Sequence, residues 1–103
     1  MAFILATADE ILHTLGQRIR AQRLAQGLPQ SELAQMAGLS LGALRKLENS
    51  GQSSLETWVR ILQALGLASE LDDLLVLAQQ SIAQMQRAEV ARQRQRAPRR
   101  TRP

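Results

Sequence analysis

The sequence contains no cysteine and only one histidine, His13. The absence of cysteine excludes disulfide bonds, thiolate metal sites and cysteine nucleophiles, and a single histidine excludes a metal site built from several imidazoles. With one Phe, one Trp and no Tyr, a platform that stacks the bases of single-stranded nucleic acid is not expected. The sequence also offers neither a phosphate-binding loop nor a nucleophile with a matching base. We therefore expect a protein that is not an enzyme and that needs no cofactor or metal.

Long apolar runs are also missing. The apolar stretch 2–6 is short and follows no basic residue, unlike the apolar part of a secretory signal. Nothing approaches the roughly 18 apolar residues of a membrane-spanning helix. We therefore expect a soluble, cytoplasmic protein with no membrane partner, and the missing cysteines fit that compartment.

Positive charge is concentrated at one end of a chain whose 103 residues have room for one domain. Residues 1–86 hold six Lys or Arg against eight Asp or Glu, whereas residues 87–103 hold seven Arg against one Glu. The Arg-rich tail, 87–103, includes Arg92, Arg94, Arg96, Arg99, Arg100 and Arg102. Such tails bind nucleic acid or another polyanion, and the alternative is a solvated end. Three roles stay open for it: insertion into a minor groove, neutralisation of phosphates, or binding of a protein.

Apolar residues recur at spacings of three and four, and 18 residues are leucine. This pattern predicts an all-α fold. Thr7 with Glu10, and Ser53 with Glu56, have the capping-box spacing that begins a helix. The expected helices run from Thr7 to Gly27, over 30–37, over 41–49 after the cap Ser40, from Ser53 to about Leu65, and onward from Ser69.

The fifth helix is expected to be long. Apolar residues at heptad spacing extend it to about Met85, at Leu71, Leu75, Ala78, Ile82 and Met85. This seam packs either on its own domain or on a partner helix from a second copy. Beyond residue 87 the pattern ends, and prolines at 98 and 103 predict a disordered tail. We accordingly expect an N-terminal extension (1–8), one helical domain with a C-terminal dimerisation or partner helix (9–86), and the tail (87–103).

The segment 30–49 has the pattern of two short helices joined through a glycine, a helix-turn-helix. An apolar inner face is supplied by Leu33, Ala37, Leu44 and Leu47. Ala34 is small where the two helices must approach each other. Gly38 permits the positive φ that reverses the chain.

With these residues, 15–66 resembles the Xre/Cro family of bacterial and phage repressors over about half of the chain. The similarity includes Gln30, Leu33, Ala34, Gly38, Ser40 and the ending Leu47, Glu48, Asn49. The resemblance implies a compact five-helix domain with the lambda-repressor-like fold. It also implies a sequence-specific transcriptional repressor that binds double-stranded DNA, as a homodimer on a two-fold operator.

A second similarity is to HipB-type proteins, at 54–57, 64–66 and 71–75 and in the Arg-rich stretch 94–100. It implies an autoregulatory antitoxin that binds a HipA-like kinase toxin. The N-terminal extension departs from that pattern, and no strand is evident in the tail.

A recognition helix presents its first turns to base edges in the major groove. The candidate base contacts are Ser40, Leu41, Gly42, Arg45 and Lys46. Arg45 and Lys46 can both donate to O6 and N7 of guanine, and Leu41 can contact a thymine methyl. Gly42 offers no side chain, so it either permits close approach of the backbone or weakens readout.

The candidate phosphate contacts are Gln30, Asn49, Arg18 and Ser53. The role of Gln30 is implied by the family resemblance, and Ser53 has helix capping as its alternative. The resemblance also implies a structural ion pair between Arg23 and Glu48.

Two other functions fit the same sequence. The helix-turn-helix could be a scaffold for protein interaction, since a fold does not fix a function. The chain could also bind nucleic acid without sequence preference through its tail, with an affinity that falls steeply with salt.

Overall fold

Five α-helices and one short 3-10 helix make up the regular structure of residues 2–77 and 82–100, which the computed structural model describes. The α-helices are α1 (Ala8–Ala25), α2 (Gln30–Ala37), α3 (Leu41–Ser50), α4 (Leu55–Ala64) and α5 (Ile82–Arg100), and the 3-10 helix is Ala68–Leu71. The predicted all-α class is confirmed. The chain forms two units, Met1–Asp72 and Asp73–Pro103. The division into extension, domain and tail predicted from the sequence stays a prediction.

Capping residues set the starts of α1 and α3 and the end of α2. At α1 the Thr7 hydroxyl accepts from the backbone N–H of Glu10, and the Glu10 carboxylate accepts from the N–H of Thr7, at 3.2 and 3.1 Å. The capping box predicted there is confirmed. Ser40 caps α3 by accepting from the N–H of Ala43 at 3.1 Å. Gly38 ends α2 in the left-handed conformation, with φ of 69°, which a residue with a Cβ adopts only at a cost.

The predicted start of α4 is wrong by one residue. Ser54, not Ser53, is the N-cap, and its hydroxyl accepts from the N–H of Thr57 at 3.1 Å. The Ser54 hydroxyl also donates to the Thr57 hydroxyl at 3.0 Å. The side-chain partner of the N-cap residue is therefore Thr57 and not Glu56, and the contact joins two hydroxyls, whereas a capping box returns a bond to the backbone N–H of the N-cap. Ser53 is exposed in the loop before the helix.

The core lies between α1, α2, α3 and α4. Its buried apolar residues are Ile19, Leu33, Ala34, Ala37, Leu44, Leu47, Ile61 and Leu65. The predicted inner face of the helix-turn-helix is confirmed, since all four of its residues and Ala34 belong to this core. Trp58 packs against the core, and its indole N–H donates to the carbonyl of Gly51 at 3.1 Å.

Helix α1 approaches the end of α3 more closely than side chains would allow. A Cβ on Gly16 would overlap the carbonyl oxygen of Leu47. Gly51, with φ of 74°, is the left-handed cap that ends α3, and a Cβ there would overlap the backbone of Leu12. These two glycines let the backbones of α1 and α3 meet directly.

The predicted long helix from Ser69 to Met85 is wrong. The chain forms the 3-10 helix Ala68–Leu71 and then a turn, in which Leu75 has a φ of +61°. A continuous helix requires negative φ, so the heptad positions Leu71 and Leu75 do not lie on one helix. Ala78, the next position of the seam, lies outside the described residues. Leu74–Leu77 is an unbroken apolar run. A helix over these residues would be apolar on all sides and would lack the single apolar face that packs a surface helix against the core.

Helix α5 corrects the prediction for the tail. We expected the tail to be disordered where its prolines lie, over 97–103, yet the helix continues through Pro98 to Arg100. Ala, Gln and Arg dominate the segment and are strong helix formers. Pro98 lies close to the C-terminal end of α5, where its missing N–H removes one backbone hydrogen bond. Residues 101–103 lie outside the described part. No helix in the described ranges has both the length and the apolar character to cross a bilayer.

Candidate nucleic-acid interface

The exposed face of α3 contains most of the candidate base contacts. Gly42, Arg45, Lys46 and Asn49 are all exposed, at helix spacings of three and four residues, so they share one face. Leu41 is half-buried at the first turn. Ser40 is exposed, but its hydroxyl is used to cap the helix. The structure thus presents two cations, one amide and a gap at Gly42 on a single surface.

A buried ion pair holds the opposite side of α3. Arg23 donates from Nε to Oε2 of Glu48 at 2.7 Å and from Nη2 to Oε1 at 3.1 Å. The Arg23 side chain is 7% exposed and that of Glu48 is 0% exposed. A third bond runs from Nη1 of Arg23 to the carbonyl of Leu28 at 2.8 Å. The pair therefore joins α1, the loop that follows it and α3, with the two-pronged geometry that only arginine offers a carboxylate.

Gln30, the first residue of α2, connects this buried pair to the exposed face. Its Nε2 donates to Oε1 of Glu48 at 3.1 Å, and its Oε1 accepts from Nε of Arg45 at 3.3 Å. The Gln30 side chain, expected on a DNA phosphate, is thus in contact with a candidate base-contacting residue. Its second amide hydrogen is the group still able to donate to a phosphate.

Two side chains of α1 satisfy carbonyls at the end of α3. Gln17 donates to the carbonyl of Glu48 at 3.0 Å, and Nδ1 of His13 lies 3.1 Å from the carbonyl of Asn49. The last carbonyls of a helix have no partner within the helix, so these contacts fix its end. Sequence reasoning did not identify either contact. The available signal was the spacing of His13, Gly16 and Gln17, which places them on one face of α1.

The other candidate phosphate contacts lie on separate elements. Asn49 is exposed on α3 and Ser53 is exposed in the loop before α4. Arg18 is exposed on α1, and its guanidinium lies over the ring of Phe3, 5.2 Å from the centroid. This contact connects the N-terminal extension to α1. The network of hydrogen bonds around Glu48 brings together Gln30 and Arg45 from the predicted site, whereas Arg18 and Ser53 lie outside it.

The arginines of the tail lie on α5. Arg92 and Arg94 are exposed, and Arg92 forms an ion pair with Glu89 three residues earlier. Arg96, Arg99 and Arg100 belong to the C-terminal part of α5, where the structure describes only the backbone, and Arg102 lies outside the described residues. Among the described side chains, no three His, Asp or Glu residues cluster in a way that could hold a metal ion.

Comparison with protein families identifies the helix-turn-helix region of the chain. No curated protein matches the chain. Residues 19–71, about half of the chain, match the helix-turn-helix family HTH_3, which is of the Xre/Cro type, binds DNA and typically has the lambda-repressor-like fold. The matched region includes all of α2, α3 and α4, and with them the face described above. The chain belongs to the HTH_3 helix-turn-helix family of DNA-binding proteins.

Proposed function

We propose that the protein is a sequence-specific transcriptional repressor that inserts α3 into the major groove of double-stranded DNA. The observation that carries this proposal is the exposed face of α3, with Arg45 and Lys46 on a helix whose other side is fixed by the buried Arg23–Glu48 pair. A recognition helix needs rigid support, because base readout depends on the placement of a few donors.

The residues divide into two roles under this proposal. Arg45 and Lys46 donate to guanine, while Ser40, Leu41 and Gly42 lie nearest the base edges. Gln30, Asn49, Ser53 and Arg18 contact phosphates. Phosphate contacts set position and affinity but carry no sequence information of their own.

The protein acts as a homodimer on a two-fold operator, in the cytoplasm, and represses by covering a promoter. The half-sites would lie about 34 Å apart, one turn of DNA, since each copy presents one recognition helix to the same side of the duplex.

Fluorescence anisotropy tests this function. The full-length protein is titrated with duplex DNA from upstream of its own gene and with a scrambled duplex, over a salt series. The double variant Arg45→Ala/Lys46→Ala is compared with Arg20→Ala/Arg60→Ala, which removes the same charge from exposed positions of α1 and α4. We expect preference for the upstream DNA, lost in the first variant and kept in the second. Equal binding to both duplexes by the unmodified protein would instead indicate binding without sequence preference.

A second candidate role, that of an antitoxin, depends on an exposed apolar segment. Leu74–Leu77 is 58–93% exposed, and such a surface is typical of a protein-binding site. Under the resemblance to HipB-type proteins, the partner would be a HipA-like kinase toxin that binds this segment. Co-expression with the product of the adjacent gene tests it. A complex that forms with the native chain and fails with Leu75→Asp/Leu77→Asp supports the role, whereas an adjacent gene without a kinase-like product opposes it.

A further inference from the structure

Gly42 is the one glycine of the chain that the fold does not require. Four of the six glycines have positive φ, between 69° and 74°, and Gly16 allows the backbones of α1 and α3 to meet. Gly42 lies inside α3 with an ordinary helical backbone, and a Cβ added there would meet nothing within 4 Å. Alanine at this position would stabilise the helix, because glycine is among the weakest helix formers.

The residues on either side of Gly42 in α3, Leu41 and Ala43, are apolar. Leu41 precedes it and is half-buried, and the hydroxyl of Ser40 is engaged with the N–H of Ala43. No side chain of the first turn, 41–43, is polar, although Ser40 ahead of it keeps its O–H as a donor. The two cations, Arg45 and Lys46, lie one turn later along the same face.

This pattern restricts what the first turn can recognise. Almost every group on the base edges of the major groove is a hydrogen-bond donor or acceptor, and the exception is the 5-methyl group of thymine. A donor or acceptor buried against an apolar turn would lose its bonds to water without compensation. A methyl group gains from the same burial.

We propose that Gly42 is a specificity-determining position, where the missing side chain leaves a notch beside Leu41 that receives the 5-methyl group of a thymine. This rests on the proposed function, in which α3 occupies the major groove. The half-site would then contain a thymine next to the base pairs that Arg45 and Lys46 contact.

The test begins with selection of preferred sites from a randomised duplex pool by the full-length protein. Each thymine of the selected half-site is then replaced by deoxyuridine, which removes only the methyl group, and affinities are measured by fluorescence anisotropy. We expect one thymine per half-site whose replacement weakens binding about fourfold, the equivalent of about 0.8 kcal/mol for one buried carbon.

The variant Gly42→Gln fills the notch. It should bind the selected site at least about tenfold more weakly, bind scrambled DNA as before and lose its sensitivity to deoxyuridine. Its thermal midpoint should not fall, since the added side chain meets open space and glutamine is the better helix former. Ala21→Gln, which adds the same side chain at an exposed position of α1, should change none of these values.

The outcomes separate the two proposals. A selected site with no deoxyuridine-sensitive thymine, or one equally sensitive in Gly42→Gln, overturns the notch and leaves the repressor function in place. A pool that yields no preferred sequence overturns the repressor function, and the notch with it.

Discussion

The side-chain oxygen of Gln30 accepts a hydrogen bond from Nε of Arg45 at 3.3 Å, across the two helices of the helix-turn-helix. The amide group of the same glutamine donates to Glu48, which is completely buried. An exposed cation is thus connected to the interior through one side chain. Arginine loses rotamer freedom when it binds a ligand, and an arginine that is already held loses less.

The first prediction is that Gln30→Ala weakens binding to the preferred DNA about tenfold, because Arg45 then has to be ordered by the DNA. The matched control is Gln35→Ala, an exposed glutamine of the same helix. Gln30 can act by holding Arg45 or by contacting a phosphate itself, and anisotropy titrations of Gln30→Ala in the Arg45→Ala background separate these two explanations. If Gln30 acts through Arg45, the loss of affinity caused by Gln30→Ala nearly disappears in that background. If the two losses of free energy add in full, Gln30 contacts phosphate independently.

The second prediction concerns the buried pair. Glu48→Gln should lower the free energy of unfolding by about 3–5 kcal/mol, because it leaves the Arg23 guanidinium buried without a counter-charge. Urea denaturation measures the decrease. The double variant Arg23→Met/Glu48→Met should regain part of that stability, since it buries no charge at all. If Arg23→Met/Glu48→Met has a lower free energy of unfolding than Glu48→Gln, the hydrogen-bond geometry of the pair, and not the neutralisation of its charges, supports the fold.

Helix ends were predictable from the sequence where a single residue sets them. The caps at Thr7 and Ser40 form hydrogen bonds within three residues, and Gly38 acts through its own φ. A short stretch of sequence therefore contains the information that places these helix ends. The region after Ser69 was not predictable in this way. Heptad spacing shows which residues would share a face if a helix continued, but not that Leu75 adopts a φ of +61°.

The support of the candidate site was also only partly predictable. The Arg23–Glu48 pair followed from resemblance to a family, not from spacing. The contact between His13 and Asn49 joins residues 36 positions apart, and the spacing along α1 shows only that His13 and Gln17 share a face, not which residues they contact. The network that holds α3 therefore required the folded structure.

The third prediction compares one substitution at two glycines. Gly16→Ala should destabilise the fold by about 1–3 kcal/mol or more, because the new Cβ overlaps the backbone oxygen of Leu47, which a helix cannot easily move. Gly42→Ala should stabilise it by about 0.8–1 kcal/mol, since its Cβ meets open space. Thermal unfolding of both variants measures the difference. A shift of the same sign in both would contradict the direct backbone contact between α1 and α3.

The fourth prediction concerns the start of α1. The backbone N–H of Thr7, and then its hydroxyl, hold the pKa of the Glu10 carboxyl below its ordinary value through hydrogen bonds. Because the folded pKa is the lower one, the stabilisation is present at pH values above the ordinary glutamate pKa and is lost as pH falls through the folded value. In an NMR titration, Thr7→Ala should raise the pKa of Glu10 part of the way back, since the backbone N–H remains. The control Ser31→Ala, at an exposed position of α2, should leave the pKa of Glu10 unchanged. An equal rise of the Glu10 pKa in both variants would contradict the capping box as the cause of the lowered pKa.

The last prediction concerns α5, whose described arginines are all exposed. Arg87, Arg92 and Arg94 are replaced together by Gln in the full-length chain, which keeps helix propensity high and removes three charges. If α5 binds DNA phosphates, the slope of log affinity against log salt should become shallower by about 0.9 for each phosphate that an arginine no longer neutralises. Arg92 should contribute least, because Glu89 already pairs with it.

Affinity should fall equally for preferred and scrambled DNA in this triple variant, since phosphate contacts carry no sequence information. Gln86→Ala/Gln93→Ala is the control on the same helix without a change in charge. An unchanged slope would exclude these arginines from the DNA interface and leave α5 as a candidate surface for a protein partner.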